Sequence, residues 1–163
     1  MEFVLKTGTI ESTLDDKGRV VIPASMRDRY TGTLVITQGD EECVWIMKPD
    51  VFQTFIKKHK KQFDDDNINA VQYKAFQDLF ESNAVTGEID PKTGRLLIPP
   101  VLRDAAHLSK DARDCLVVSI RNHLEIWNAE QRRIHINNVR QINKETDKIL
   151  LGKDDFFSEE DDV

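Results

Sequence analysis

Asp15-Asp16-Lys17-Gly18-Arg19-Val20-Val21-Ile22-Pro23 decides the fold, because the chain contains a second version of it, Asp90-Pro91-Lys92-Thr93-Gly94-Arg95-Leu96-Leu97-Ile98-Pro99. From the glycine onward, both copies run glycine, arginine, two apolar residues, isoleucine and proline, with another arginine four positions after the proline. The similarity continues downstream, where residues 32–37 match 114–119 and residues 43–47 match 123–127. The sequence therefore contains two copies of one structural unit.

The first copy predicts a hairpin, a short helix, a second hairpin and a longer helix. Its first turn consists of residues that tolerate positive φ. The return strand is apolar on successive positions, so we expect it to be buried on both faces. Pro23 ends this strand and suits the first turn of a helix, and Asp50 is a suitable N-cap for the longer helix. We expect strands at 9–14, 19–22, 33–37 and 43–48, and helices at 24–30 and 51–61.

Each copy has about 50 residues, too few to bury a sufficient core alone. We therefore expect an α+β fold in which the two hairpin-and-helix units pair about a pseudo-twofold axis and share one core. A linker helix is predicted between them because its apolar residues are spaced to lie on one helical face: Ile68, Val71, Phe76, Leu79 and Phe80. The predicted divisions are a first repeat at 8–62, the linker at 63–82, a second repeat at 83–142 and a tail at 143–163.

The net charge of −6 is unevenly distributed along the chain. Residues 151–163 contain one lysine and six acidic residues, so the rest of the chain is nearly neutral. We expect the acidic tail to be disordered. A nearly neutral body can still bind DNA if its basic groups cluster on one face, so composition neither supports nor excludes a nucleic-acid partner.

Several functional classes find no support in the sequence. No apolar run approaches the roughly 20 residues that span a bilayer, and the N-terminus lacks the features of a signal peptide, so we expect a cytoplasmic protein without a membrane partner. Cys43 and Cys115 lack neighbouring ligand residues, which favours core cysteines over a metal site. The four histidines are scattered, and hydrolase and nucleotide-binding motifs are absent. We therefore expect no catalysis, no cofactor and no small-molecule substrate.

The doubled segment resembles the signature of the SpoVT-AbrB superfamily, whose members are swapped-hairpin DNA-binding β-barrels. Two copies in one chain, a helical linker and the segment Leu124-Glu125-Ile126-Trp127 resemble the MraZ family in particular, over about residues 5–142. The resemblance implies a swapped-hairpin barrel with helices packed outside. It also implies a nucleoid-associated regulator of the division and cell-wall gene cluster. Such a protein binds repeated double-stranded DNA elements upstream of its own operon as a ring-like homo-oligomer.

By position, Asp15 and Arg19 match the family's DNA-binding element in the first copy, and Arg95 matches in the second. An arginine at the base of an exposed turn can form two hydrogen bonds to a guanine or clamp a phosphate. Lysines near the turn tips suit phosphate contacts. The candidate DNA-binding residues are Asp15, Lys17, Arg19, Arg27, Lys92, Arg95 and Arg103, and the candidate turn residues are Gly18, Pro23, Gly94 and Pro99.

Three of these assignments have structural alternatives. Asp15 and Arg19 can simply close a hairpin as an ion pair. Arg27 and Arg103 lie behind apolar strands, where an arginine often has a structural partner. The second turn is one residue longer than the first and contains Pro91, so equal DNA contact by Arg95 does not follow from the resemblance.

Two broader alternatives also remain. The basic residues of 57–61 suit either a phosphate patch or the solvated C-terminal end of a helix, where cations complement the dipole. At the level of the whole protein, the alternative to operator binding is a protein-binding or structural ring module, as in antitoxins of AbrB-like fold. The sequence specifies neither the operator, nor the sign of regulation, nor the number of subunits.

Overall fold

A computed structural model describes residues 7–66 and 69–150 of the chain. Strands and short helices alternate in the same order in the two repeats, and a longer helix follows each repeat. The strands are β1 (Gly8–Thr13), β2 (Arg19–Val21), β3 (Leu34–Gln38), β4 (Cys43–Met47), β5 (Val85–Gly87), β6 (Arg95–Leu97), β7 (Asp114–Ile120) and β8 (His123–Asn128). The helices are α1 (Ala24–Arg27), α2 (Pro49–Asp65), α3 (Ala70–Phe80), α4 (Pro100–Ala105) and α5 (Ala129–Leu150).

The strand order of the main sheet reflects the duplication. Its six strands follow the order β1-β7-β8-β4-β3-β5, and exchanging the two repeats gives the same order reversed. The first strand of each repeat pairs with the third strand of the other, as Ile10 opposite Val117 and Val35 opposite Thr86 show. In the centre, β4 pairs with β8, with Trp45 opposite Glu125. The two repeats therefore exchange strands and form one sheet.

A second, smaller sheet contains only β2 and β6, one strand from each repeat. We call this antiparallel pair the β2–β6 ribbon. The prediction of an α+β fold is confirmed. The strands of the described residues form two antiparallel sheets rather than a closed barrel, so the predicted swapped-hairpin barrel is not confirmed. The physical reason is that β1 and β5 end the main sheet at opposite edges, and the ribbon pairs separately.

The main core contains apolar side chains from both repeats, including Ile22, Ile36, Leu96, Ile98 and Leu124. The prediction that the return strand is buried on both faces is wrong. Val20 is fully buried but Val21 is only half-buried, because successive side chains of a strand point to opposite faces and only one face of the ribbon contacts the core.

The linker helix α3 is docked by aromatic side chains. Phe76 and Phe80 are buried and contact Phe55 of α2, with ring centroids 5.8 and 5.2 Å away. The hydroxyl of Thr37 on β3 donates a hydrogen bond to the carbonyl of Phe80 at 2.8 Å. Val71, predicted to lie on the apolar face of the linker, is instead 79% exposed, because α3 packs through a narrower stripe. Ile68 lies outside the described residues.

Several helix boundaries differ from those predicted. Helix α1 ends at Arg27, earlier than expected. Helix α2 begins at Pro49 with Lys48 as the N-cap, so Asp50 lies in the first turn rather than at the cap. Helix α2 ends at Asp65, and α5 continues to Leu150, past the predicted end of the second repeat at residue 142, so the first part of the predicted tail is helical. The rest of that tail, residues 151–163, lies outside the described residues. The chain divides into two compact units, Met1–Ala129 and Glu130–Val163, so both repeats belong to one unit as far as Ala129.

Cys43 and Cys115 are both buried and neither forms a disulfide, as expected of core cysteines. Burial, and secondarily the charge of Asp114, raise the pKa of the Cys115 thiol to about 12, so this thiol is protonated at neutral pH. Among residues 7–66 and 69–150, no helix has both the length and the apolar character needed to cross a bilayer.

Replacing Thr37 by valine tests the docking of α3. The change keeps the shape of the side chain but leaves the Phe80 carbonyl without its donor, and an unsatisfied buried acceptor costs about 1–3 kcal/mol. We expect the free energy of unfolding, measured in urea, to fall by that amount. The matched control is Thr86→Val on β5, where the side chain is exposed. Equal effects of the two substitutions would contradict the role of the Thr37 hydroxyl.

Candidate nucleic-acid interface

The first turn is organised by the carboxylate of Asp15. Its Oδ1 accepts hydrogen bonds from the backbone N–H groups of Lys17 and Arg19, both at 2.9 Å. Its Oδ2 accepts a hydrogen bond from Nε of Arg19 at 2.8 Å. Lys17 is exposed at the tip of the turn. The turn therefore fixes both the backbone and the guanidinium direction of Arg19.

The second turn accommodates its extra residue without losing closure. Oδ1 of Asp90 accepts hydrogen bonds from the backbone N–H groups of Lys92 and Thr93, at 2.8 and 3.2 Å. The N–H of Asp90 donates to the carbonyl of Arg95 at 2.9 Å, as the N–H of Asp15 does to Arg19. The aspartate of the longer turn therefore binds the backbone of its own turn. The strand after each turn begins with the same hydrogen bond, from the aspartate N–H to the arginine carbonyl.

The arginine of the second turn lies near the aspartate of the first. Nε of Arg95 is 3.7 Å from Oδ2 of Asp15, the same oxygen that binds Arg19. The side chains of Arg19 and Arg95 are 35% and 41% exposed. We call Asp15, Arg19, Asp90 and Arg95 the charge cluster. Within the described residues, no hydrogen bond or ion pair engages the Nη atoms of either arginine, so both retain donors for an external partner.

Both aspartates of the charge cluster have a lowered pKa. Burial raises the pKa of Asp15, but hydrogen bonds from the backbone and side chain of Arg19 and the backbone of Lys17 outweigh it, so the net pKa lies below its usual value. The pKa of Asp90 is lowered mainly by hydrogen bonds from the backbones of Lys92 and Thr93, with smaller contributions from the charges of Arg19 and Arg95. Both carboxylates are therefore ionised at neutral pH.

The arginines of the short helices lie beneath the turns of the opposite repeat. Nε of Arg27 donates to the carbonyl of Ile22 at 2.6 Å, and its guanidinium lies against Gly94. Arg103 lies against Gly18, where its guanidinium atoms are 2.6–3.1 Å from the place a Cβ would occupy. Nε of Arg103 is buried and has no hydrogen-bond partner among the described residues. Both guanidinium groups therefore contact the turn of the opposite repeat.

The two glycines are therefore constrained twice. Gly18 and Gly94 have φ angles of +79° and +71°, which other residues adopt only with strain, and a Cβ at either position would displace the arginine guanidinium packed there. Their carbonyls also accept hydrogen bonds across the repeats, from Ile98 N at 3.0 Å and from Ile22 N at 2.8 Å. Each turn is thus fixed to the other repeat.

The remaining predicted residues occupy simpler positions. Pro23 and Pro99 are the N-caps of α1 and α4, one position before the predicted first turn. Their φ angles are −56° and −58°. The lysines of 57–61 are exposed in the body of α2, and no basic residue lies in its last turn. The explanation of that run as a helix end is therefore wrong. In the described part of the chain, no group of three or more His, Cys, Asp or Glu side chains could hold a metal ion.

Sequence reasoning missed two contacts of this site. It assigned Asp15 to its own turn and did not place it beside Arg95. It also missed the ion pair between Nη2 of Arg113 and Oδ1 of Asp16, at 2.5 Å. The expected pairing of two similar hairpins was the one signal that pointed to the first contact, and no local pattern pointed to the second.

The chain is similar in sequence to the proteins of one family. A family model described as "MraZ protein, putative antitoxin-like" matches residues 5–74 and 80–150. Three similar proteins are each named transcriptional regulator MraZ. The one from Arthrobacter sp. (strain FB24) is 31% identical over 89% of this chain and 96% of its own length. The one from Leifsonia xyli subsp. xyli is 33% identical over 76% and 80%, and the one from Lactiplantibacillus plantarum is 35% identical over 76% and 82%.

The glycine constraint can be tested with a matched pair of substitutions. Gly18 and Gly32 have the same φ of +79°, but a Cβ at Gly32 would meet nothing within 4 Å. We expect Gly32→Ala to lower the unfolding free energy by about 1–2 kcal/mol through backbone strain alone. Gly18→Ala should cost more, because Arg103 must also move. Urea unfolding of both variants measures the difference, and equal losses would rule out the importance of the arginine contact.

The lowered pKa values predict how stability depends on pH. A carboxylate whose pKa is lower in the folded state stabilises the fold above its unfolded pKa of about 3.9, and this contribution is lost as pH falls through the folded pKa. Below pH 4, the free energy of unfolding of Asp15→Asn should therefore fall less steeply than that of the parent protein. Urea unfolding across that range measures it. Asp111→Asn, at an exposed residue, is the control and should follow the parent curve.

Proposed function

The chain belongs to the MraZ family, and from this premise we propose that it is a transcriptional regulator that binds double-stranded DNA through the β2–β6 ribbon and the two turns beside it. The observation that supports this most directly is the convergence of Arg19 and Arg95, one from each repeat, on one carboxylate oxygen. Relatives of this chain are named transcriptional regulators. The proposal therefore joins the family's role to a specific surface of this chain.

The two-stranded form of the ribbon suits its proposed role. The major groove of B-DNA admits a two-stranded β-ribbon, and strands serve as recognition elements in several DNA-binding folds. A guanidinium whose Nε is held by a carboxylate can direct its Nη donors at O6 and N7 of a guanine. In this proposal Arg19 and Arg95 contact bases, and Asp15 positions both.

The lysines and the buried arginines have different roles in the proposal. Lys17 and Lys92 are exposed near the turn tips, where a flexible point charge suits a phosphate. Arg27 and Arg103 support the turns from beneath, since their guanidinium groups lie against Gly94 and Gly18. They influence DNA binding by positioning the turns rather than by touching bases.

We also propose that the protein works as a ring-like homo-oligomer on repeated operator elements upstream of its own operon, in the division and cell-wall gene cluster. One ribbon contacts few base pairs, and each good bidentate contact discriminates by only about 1–3 kcal/mol. Linking several such sites increases overall affinity by roughly 10²–10⁴. The edge strands β1 and β5 lie at opposite ends of the main sheet, which suits head-to-tail contacts that close into a ring.

Fluorescence anisotropy with the DNA upstream of the gene tests the proposal. Losing one bidentate contact should weaken specific binding by Arg19→Ala about 5- to 150-fold, and Arg95→Ala should weaken it in the same direction. Because the proposal assigns these arginines to bases and Lys17 to a phosphate, the slope in a salt series should change little in Arg19→Ala and Arg95→Ala but fall by about one unit in Lys17→Ala. Arg140→Ala removes an exposed arginine of α5 and serves as the charge-matched control, with less than twofold change expected.

The outcomes distinguish this function from its alternative. Gel filtration of every variant must show intact assembly. If the parent protein does not prefer this DNA over random duplex at any salt concentration, operator recognition is contradicted. The protein-binding or structural ring module then becomes the better explanation, in keeping with the antitoxin-like wording of the family description.

A further inference from the structure

A leucine lies exposed on the face of the ribbon that carries the two arginines. Because side chains alternate along a strand, Val20 and Leu96 face the core and are 0% and 1% exposed. The residues before and after them on each strand face outward, and among these Leu97 is 56% exposed. In the register of the ribbon, Leu97 stands directly opposite Arg19, and Arg95 stands opposite Val21. The outward face is thus two arginines and two aliphatic residues, arranged diagonally.

A single exposed aliphatic residue is ordinary on a protein surface, but Leu97 is distinguished by its charged neighbours. Side chains directly opposite in an antiparallel pair have Cβ atoms about 4.5–5.5 Å apart. Any partner whose polar groups bind the guanidinium of Arg19 therefore also lies over Leu97. Leu97 has no hydrogen-bonding group, so it can offer this partner only an apolar contact.

We propose that Leu97 is a specificity-determining residue that contacts the 5-methyl group of a thymine next to a base contacted by Arg19. This inference rests on the proposed function, since it assumes that the ribbon enters the major groove. There, the thymine methyl is the apolar group that a base pair displays, and it distinguishes thymine from the other bases. Successive bases on a strand are about 3.4 Å apart, so two opposed side chains can reach neighbouring base pairs.

The surroundings of Leu97 favour DNA over a second copy of the chain as the occupant of this face. Arg19 and Arg95 carry Nη donors without partners among the described residues, and Lys17 and Lys92 add positive charge at the turn tips. A second copy that met this face through its own ribbon would bring the same positive groups to it. A nucleic acid supplies phosphates and guanine acceptors for the cations together with a methyl group for the leucine.

The two repeats contribute unequally to this contact. Val21, the counterpart of Leu97 in the first repeat, is half-buried whereas Leu97 is exposed. Its side chain is also shorter than that of leucine by one methylene group. The thymine preference should therefore be stronger at the base pairs beside Leu97 than at their pseudo-symmetric counterparts. An operator element is accordingly expected to be recognised with a defined direction by the ribbon.

The test removes the methyl group from the DNA and the side chain from the protein in all combinations. Synthetic operator duplexes carry uracil in place of thymine, first at every position and then singly, and anisotropy measures the dissociation constant. Loss of one buried methyl group should weaken binding of the parent protein about fourfold at one or two positions. In Leu97→Ala this penalty should fall below about 1.5-fold, whereas Leu97→Met should retain most of it. Val71→Ala, at a 79% exposed residue of α3, is the matched control and should keep the full penalty.

Each outcome decides a separate question. If the parent protein does not select the operator over random DNA, the proposed function fails first. If it selects the operator but the uracil penalty is the same in Leu97→Ala, the thymine contact is wrong while operator binding stands. If Leu97→Ala instead changes the subunit number seen by light scattering and leaves the uracil penalty intact, Leu97 belongs to an interface between copies, which also overturns the proposal.

Discussion

The structure depends on the reciprocal packing of each turn against the other repeat. Gly18 receives Arg103 and Gly94 receives Arg27, and the carbonyls of both glycines accept hydrogen bonds from strands of the opposite repeat. Because the turn requires positive φ and a Cβ would displace the guanidinium packed on it, glycine is favoured for two independent reasons at each position. The turns that carry Arg19 and Arg95 are consequently held by long-range contacts in addition to the hydrogen bonds of their own aspartates. This is how short, exposed turns can present guanidinium groups in a fixed geometry.

The two halves of the site are alike in backbone but different in electrostatics. Asp15 uses one oxygen for backbone N–H groups and the other for the two arginines, whereas Oδ1 of Asp90 binds the N–H groups of its own longer turn. One carboxylate thus positions the arginines of both repeats. A change at Asp15 affects both arginines together, while a change at Asp90 acts first on its own loop. The carboxylate that forms ion pairs with both arginines therefore belongs to the first repeat.

Much of this could be predicted from the sequence, because local signals were strong where backbone conformation is restrictive. The repeated glycine–arginine segment predicted the two turns, Pro23 and Pro99 predicted the ends of β2 and β6, and the duplication predicted one shared core. Helix ends were less predictable, since α2 continues to Asp65 through residues that carry no stop signal. The open sheet was not predictable either, because closure depends on the register of β1 and β5 with the opposite repeat. The contacts of Arg27 and Arg103 with the opposite turns depend on the same exchange of strands. No short segment of the sequence indicates that exchange.

The exchange of β1 and β5 between the repeats has a consequence for how the chain folds. In each half of the sequence, the first strand pairs with a strand of the other half. A half-length chain would therefore need to meet a second one before it could fold. With both halves on one polypeptide, the encounter is intramolecular and independent of protein concentration. The tether also ensures that each first half meets a second half and never another first half. Such a chain can accumulate different residues in its two halves, as at Val21 and Leu97, without producing mismatched pairs.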